Sequence, residues 1–395
     1  MVLKKYKYHI AIVLISFIIV FQYAYNIDLH DNSDAAREYS VMLQMAEENT
    51  WRVDHEQTLL RSCMFTTYLP AMIHRHLDLP SENVYRYFPL LFMAWTPLIV
   101  FLIVRRYLSD GLSLFAAMIF LSQNYYLWSA SLARIGIAVM FLALVIWLAH
   151  RDRQTWKSYA LIGVVAGLIP LAHYGTAYYS VALLSIWFGI KSINKVFVRQ
   201  YVPNPKLRTA LMALLPLCLM SGVWLGLVMQ QPLQIGNRVL ETATKEIVQE
   251  VRGGGGLFSM ESRGPVVQVA FGKTFPTMNV AQRIEFVFSW LVILTMSFGV
   301  LIAVVKRKPM CWLILAAYCL VLAGIISPYL SKAYGVTRIY YSSSIVLMVG
   351  LGYGMAYISQ KVKVPAVAVG LFLFLPYSLC TTGILHYWFG YSRWG

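Results

Sequence analysis

Long apolar stretches alternate with short charged connectors along nearly the whole 395-residue chain. An α-helix rises about 1.5 Å per residue, so about 20 apolar residues cross the hydrocarbon core of a bilayer. The pattern predicts about eleven transmembrane helices. They cover residues 10–25, 87–104, 112–128, 134–149, 159–171, 176–190, 210–229, 284–305, 310–326, 341–358 and 364–380.

Composition supports this pattern. The mean hydropathy is +0.61 and 13% of the residues are charged, against about 25% in soluble domains. The first apolar stretch follows Lys4, Lys5 and Lys7 and ends without small residues of a cleavage site. The sequence therefore predicts an all-α polytopic membrane protein, a single membrane domain over 1–395, with an uncleaved anchor and a cytoplasmic N-terminus.

The charges give an independent test of this topology. Eleven spans with a cytoplasmic N-terminus assign eighteen of the 33 lysines and arginines to the cytoplasmic side, but only Asp110 and Asp152 of the 17 acids. The formal charge of +16 then lies wholly inside, as the positive-inside rule requires. The basic character is thus a signal of topology, and nucleic-acid binding is not indicated.

Two predicted outer segments, 26–86 and 230–283, are long enough to fold over the membrane. The first holds ten of the 17 acids, and residues 33–48 contain no Gly or Pro and repeat apolar residues at helical spacing. The stretch 61–77 suits an interfacial helix. The second segment opens with an amphipathic helix that ends at Gly253–Gly256. The loop Gly253–Gly264 is then either a plain linker or a loop that closes over a substrate.

Asp34 and Glu38 are the sharpest candidates for chemistry. On a helix they lie one turn apart on one face, where carboxylates serve as a general base and as a metal or substrate ligand. Alternatively, Asp31 or Ser33 caps the helix and Glu38 pairs with Arg37. His55, which lies between two acids, is a second candidate ligand for a divalent metal such as Mg or Mn.

Cationic residues fall at the predicted outer ends of several spans. Arg134, His173, Lys332 and Arg338 would together form a phosphate site, and Tyr340 lies beside Arg338. The alternative is snorkelling to lipid headgroups. The span interiors hold essentially no charge, whereas ion-coupled transporters usually keep ionisable groups there. No Cys-x-x-Cys, P-loop or Gly-x-Ser-x-Gly motif is present, and the five cysteines suggest no disulfide framework.

Four stretches between residues 32 and 178 resemble a largely archaeal group of prokaryotic predicted membrane proteins within the GT-C glycosyltransferases. The stretches are 33–39, 84–92, 120–123 with 132–134, and 173–178. The resemblance implies an essential acid after the first transmembrane helix, at Asp34 with Glu38 nearby. It also implies that cations such as Arg134, His173 and Arg338 hold the phosphate of a polyprenyl-phosphate-linked sugar.

The chain departs from this family at three places. The connector 122–133 has no acid, Val139 stands where an acidic residue is expected, and only a short tail follows the last span. These departures leave open a divergent, minimal or inactive member, or one that needs a partner subunit.

We expect a glycosyltransferase of the cell membrane that acts in glycan biosynthesis for the cell envelope, with its active face outside the cytoplasm. It would move a sugar from a polyprenyl-phosphate-linked donor to a glycan, lipid or protein acceptor, amid membrane lipids and without nucleic acid. The alternatives are a flippase or transporter of lipid-linked precursors, a polymerase or ligase of lipid-linked glycans, and a non-catalytic scaffold.

Overall fold

The computed structural model describes residues 2–31, 33–48, 51, 58–129, 133–151, 154–193, 207–230, 264–327 and 335–390, with a few isolated positions between 234 and 248. For residues 2–5 and 58 it describes the backbone alone. Throughout these ranges the regular structure is helical, without a β-strand. The predicted all-α class is therefore confirmed.

The helices follow one another with short connections. They are α1 (Val2–Tyr25), α2 (Asp34–Glu48), α3 (Thr58–Arg61), α4 (Tyr68–Leu77), α5 (Ser81–Tyr87), α6 (Leu90–Met93), α7 (Thr96–Arg105), α8 (Asp110–Leu121), α9 (Asn124–Trp128), α10 (Ala133–Ala149), α11 (Trp156–Ala172), α12 (Tyr174–Ile193), α13 (Leu207–Met220) continued by a π-helix (Ser221–Val228), α14 (Pro265–Ala270), a 3-10 turn (Phe275–Thr277), α15 (Val280–Val305), α16 (Cys311–Ile326), α17 (Val336–Val362), α18 (Ala366–Thr381) and α19 (Ile384–Trp388). The chain forms two compact units, residues 1–99 with 126–235 and residues 100–125 with 236–395.

Five described helical stretches are long and apolar enough to cross a membrane. They are Tyr6–Tyr25, Ser81–Arg105, Leu207–Val228, Val280–Val305 and Val336–Val362. Shorter apolar helices accompany them, and every predicted span coincides with a described helix or run of helices. The chain is thus a multi-pass membrane protein, while the number of eleven spans and their orientation stay predictions.

Some predicted spans differ from the observed helices. The span predicted at 87–104 begins earlier, at Ser81, and is broken after α5. Pro89 explains this break, because proline lacks the N–H that a continuous helix would donate. The span predicted at 112–128 also breaks, since α8 ends at Leu121 and α9 begins at Asn124. The predicted amphipathic helix and glycine tract of the second outer segment lie largely or wholly outside the described residues.

In the first unit, α10 and α11 form a helical hairpin. Both helices have 17 residues, and a short connection joins them. Antiparallel packing of equal lengths brings the start of α10 and the end of α11 to the same end of the hairpin. Arg134 and His173 therefore share that end. Glycines keep α11 close to α13, since a Cβ added at Gly167 would lie 3.1 Å from a side-chain carbon of Met220.

In the second unit, α15 and α17 touch through glycines. A Cβ added at Gly299 would collide with the backbone of Gly350, and one added at Gly354 would collide with the carbonyl of Thr295. Small residues allow such close approach between transmembrane helices, where dispersion contacts replace the hydrophobic effect as the driving force. The middle of α17 is buried on all sides, so it is the central helix of this unit.

Candidate functional site

Arg86 of α5 binds the backbone at the end of α1. Its guanidinium donates to the carbonyl oxygens of Ala24 at 3.3 Å, Tyr25 at 2.9 Å and Ile27 at 2.5 Å. Glu82, one turn earlier on α5, pairs with it at 3.6 Å. Because the last carbonyls of a helix have no partner within it, Arg86 fixes the chain direction ahead of α2. Sequence analysis predicted no role for Arg86, although Arg86 lies in the stretch 84–92, which carries part of the family resemblance.

Polar side chains define the start of α2. The carboxylate of Asp31 accepts from the Ser33 backbone N–H at 2.9 Å, and the Ser33 hydroxyl accepts from the Ala36 N–H at 3.2 Å. Hydrogen bonds from the Ser33 hydroxyl and from the Ser33 backbone N–H hold the pKa of Asp31 below its ordinary value. Ser33 therefore caps the helix, and Asp34 occupies its first turn, where a negative charge suits the helix dipole.

An apolar face fixes the rotation of α2. Tyr39, Val41, Met42 and Met45 are buried in a cluster with Leu29, Ala71 and Tyr85. The hydroxyl of Tyr39 also lies 2.8 Å from that of Ser81 at the start of α5. With this face buried, Glu38 lies wholly inside the protein while Asp34 lies at the edge of the exposed side.

Asp34, Glu38 and Arg134 form one charged cluster. Arg134 Nη2 lies 3.1 Å from Asp34 Oδ2, and Arg134 Nη1 pairs with Glu38 Oε1. The side chains are 8% exposed for Arg134, 48% for Asp34 and 0% for Glu38. Tyr85 donates its hydroxyl to the other oxygen of Glu38 at 3.4 Å. Two candidate carboxylates and one candidate phosphate ligand thus meet, across a sequence separation of 100 residues between Asp34 and Arg134.

This cluster carries a net formal charge of −1, because one guanidinium faces two carboxylates. The two pairs differ in how easily they break. Removing a partner from a buried pair costs about 3–5 kcal/mol, whereas an exposed pair contributes about 0–1 kcal/mol. Glu38 is therefore the fixed partner of Arg134 and Asp34 is the replaceable one. Arg37, the alternative partner for Glu38, is exposed and does not pair with it.

His173 lies at the junction between α11 and α12 and is 2% exposed. Its Nδ1 accepts the Thr176 backbone N–H at 3.1 Å and lies 2.9 Å from the Thr176 hydroxyl. With Nδ1 as an acceptor, the ring carries its proton on Nε2.

The first predicted outer segment packs against this junction. The Met64 N–H donates to the Leu171 carbonyl at 2.8 Å, and the Tyr174 backbone bonds to the Cys63 thiol. Burial raises the pKa of that thiol to about 12. The same segment is tied back to the end of α2, because Arg61 pairs with Glu48 at 3.2 Å. The surroundings of His173 and the helix that carries Asp34 thus belong to one packed assembly within the first unit.

The other predicted site residues belong to the second unit or lie outside the described residues. Arg338 and Tyr340 lie half-buried at the start of α17, in the second unit. Lys332 and His55 lie outside the described residues. The part that each would take in binding stays a prediction.

The described residues do not assemble a metal site. Across the described ranges, no group of three or more His, Cys, Asp and Glu side chains could hold a metal ion. Asp34 is a single carboxylate whose Oδ2 faces the Arg134 guanidinium. The metal-binding role of Asp34 and His55 stays a prediction.

The second unit contains a polar cluster that sequence reasoning missed. Glu285, near the start of α15, accepts from the Asn124 amide at 2.7 Å and lies 3.3 Å from His386 Nε2. His386 is 2% exposed, and its Nδ1 is buried without a hydrogen-bond partner. These residues are distant in sequence. The one signal that could have indicated them is that each is an isolated polar residue in an apolar stretch.

Comparisons with known proteins agree with this architecture. Residues 62–224 match the family model of dolichyl-phosphate-mannose-protein mannosyltransferases. This range includes Arg134 and His173 but begins after α2. A search of curated protein sequences finds no match.

Solved structures show the same fold. Arabinofuranosyltransferase AftD from Mycobacteria matches with a TM-score of 0.56 and 16% identity, over 98% of this chain and 27% of that one. The apo Archaeoglobus fulgidus oligosaccharyltransferase matches with a TM-score of 0.50 and 12% identity, over 96% of this chain and 56% of that one. The complex of the same enzyme with Zn and sulfate has a TM-score of 0.49 and 14% identity, over 94% of this chain and 52% of that one. The chain spans about half of the length of the oligosaccharyltransferase and about a quarter of that of AftD. The fold of this chain is therefore similar to that of the arabinofuranosyltransferase and the oligosaccharyltransferase.

Proposed function

We propose that this protein transfers a sugar from a polyprenyl-phosphate-linked donor to an acceptor hydroxyl on the outer face of the membrane. One observation carries the proposal: a half-exposed carboxylate, Asp34, is held at the start of α2 by a buried arginine, directly after the first apolar helix. The family match and the GT-C fold support the reaction class. The positive charge of the opposite connectors supports the outer face.

In the proposed reaction, Asp34 acts as a general base. Its free oxygen accepts the proton of the acceptor hydroxyl as the acceptor oxygen attacks the anomeric carbon. The bond between that carbon and the phosphate oxygen breaks, and polyprenyl phosphate leaves with the electron pair. A positioned base of this kind typically accelerates a reaction by about 10²- to 10⁴-fold.

Arg134 and Glu38 position the base in this proposal. Arg134 fixes the direction of Asp34 through Nη2, and the buried Glu38 holds Arg134 in place through Nη1. Such prearranged charges lower the cost of reorganisation during the reaction. His173 is a further proposed contact for the donor, because its Nε2–H can donate to a phosphate oxygen.

The test uses the full chain in lipid nanodiscs, with polyprenyl phosphates that carry mannose or arabinofuranose, the sugars of the relatives' names. Host membrane extract supplies acceptors, and released polyprenyl phosphate is measured. We expect release by the wild type and a loss of at least a hundredfold in Asp34→Asn. Asp28→Asn is the matched control, since Asp28 lies in the same connector and its carboxylate accepts from the backbone N–H of His30. Equal release by wild type and Asp34→Asn would refute the proposal, and movement of an unchanged lipid would indicate a flippase.

A further inference from the structure

The donor needs a cation that is accessible, and Arg134 is poorly suited to be the first contact. Its side chain is 8% exposed and already faces Asp34 and Glu38. An approaching phosphate would meet a cluster whose net formal charge is −1. Displacing Glu38 would leave a carboxylate without its counter-charge in a fully buried position.

Arg37 has the properties that Arg134 lacks. It lies on α2 three residues after Asp34 and is exposed. Among the described residues its guanidinium has no ion-pair partner. The buried apolar face of α2 and its pairing with Arg134 fix the rotation of the helix, so Arg37 stays on the open side, next to Asp34.

The spacing suits the chemistry of transfer. Residues three apart on a helix have Cβ atoms about 5–6 Å from each other. In a sugar phosphate, one oxygen links the phosphorus to the anomeric carbon, and the acceptor hydroxyl attacks that carbon. A phosphate held at Arg37 would therefore leave the anomeric carbon within reach of a hydroxyl that contacts Asp34.

We infer that Arg37 binds the phosphate of the lipid-linked donor and sets it one helical turn from the base. This inference rests on the proposed function and names the donor contact of the same site. Arginine offers two parallel N–H donors to a phosphate, which a lysine cannot reproduce. Arg134 then keeps its contacts with the two carboxylates throughout binding.

The test measures binding of fluorescent polyprenyl phosphate to the full chain in nanodiscs. Arg37→Ala should weaken binding by about ten- to a hundredfold, as expected for a lost charge-assisted contact, and Arg37→Lys should restore part of it. Arg75→Ala is the matched control, because Arg75 is another exposed arginine of the same segment and its guanidinium donates to the Ala46 carbonyl. Thermal unfolding of each variant verifies that it is folded.

Inorganic phosphate is the competing probe. Displacement of the lipid only at concentrations a thousandfold higher supports a lipid-borne ligand, whereas displacement at equal concentration overturns that part of the inference. Unchanged binding in Arg37→Ala overturns the assignment of Arg37, even if the wild type transfers sugar. Conversely, binding that depends on Arg37 in a protein that transfers no sugar would leave the inference standing and refute the proposed function.

Discussion

Arg134 and Glu38 form a buried ion pair, in which the side-chain exposure is 8% for Arg134 and 0% for Glu38. Tyr85 completes the surroundings of Glu38 with its hydroxyl. The half-exposed Asp34 shares the same arginine. The two carboxylates look equivalent in the sequence, but Glu38 is buried and Asp34 is half-exposed.

Replacing Glu38 by Gln should destabilise the fold. The amide keeps the bond from Tyr85 but removes the fixed charge opposite Arg134, at a cost of about 3 kcal/mol, the lower end for a broken buried pair because Asp34 remains. Chemical denaturation in detergent measures this loss. Glu47→Gln, at an exposed position of the same helix, should change stability by less than about 0.5 kcal/mol. Equal stability of the two variants would contradict the fixed role of Glu38.

Asp34→Asn should destabilise the fold much less than Glu38→Gln does. Its pair with Arg134 is half open to solvent, so its loss should cost about 1 kcal/mol or less. The same denaturation experiment checks this value beside Glu38→Gln. A loss of stability as large as that of Glu38→Gln would mean that Asp34 is mainly a structural residue.

Gly299→Ala should prevent the close contact between α15 and α17. The added Cβ would overlap the backbone of Gly350, which cannot move away as a side chain can, so we expect a loss of more than about 2 kcal/mol or no folded protein. Gly189→Ala is the control, since a Cβ there meets nothing within 4 Å. That control should be neutral or more stable by up to about 1 kcal/mol, owing to helix propensity. Size-exclusion profiles and denaturation curves separate the two cases.

Cys63 should resist a membrane-impermeant maleimide. The thiolate is the reactive form, and burial raises the pKa of Cys63 from 9.0 to about 12. A rise from pH 7 to pH 9 ionises half of an ordinary thiol but leaves Cys63 protonated, so its labelling should stay slow until the protein unfolds. Ser40→Cys, at an exposed position of α2, should react rapidly. Labelling of that variant in intact cells also tests the predicted outer face.

His386→Ala should loosen α19. Its ring meets Glu285 at 3.3 Å and links α19 to α15, so hydrogen exchange over residues 384–390 should become faster. Tyr387→Ala provides the comparison, because Tyr387 is 82% exposed and its removal should leave exchange unchanged. Similar exchange in both variants would show that the contact with Glu285 does not fasten the helix.

The sequence was sufficient for the positions of most helices. Predicted and observed boundaries agree closely at Tyr25, Ala149, Val305 and Ile326, because an apolar run and its flanking charges are local properties. Capping of α2 by Ser33 was likewise one of two local alternatives. The sequence did not reveal the breaks near Pro89 and Gln123, where the composition stays apolar on both sides.

Sequence alone determined that this chain is a helical membrane protein with its acids gathered after the first span, since partition between water and lipid depends on local composition. Only the tertiary structure decided that Glu38 is buried, that Asp34 is half open and that both share Arg134. The same holds for Arg86 at the end of α1 and for Glu285 with His386. The physical reason is that contacts such as those of Asp34 with Arg134 and of Glu285 with His386 join residues about 100 positions apart in the sequence. No local pattern encodes which of such distant residues will meet.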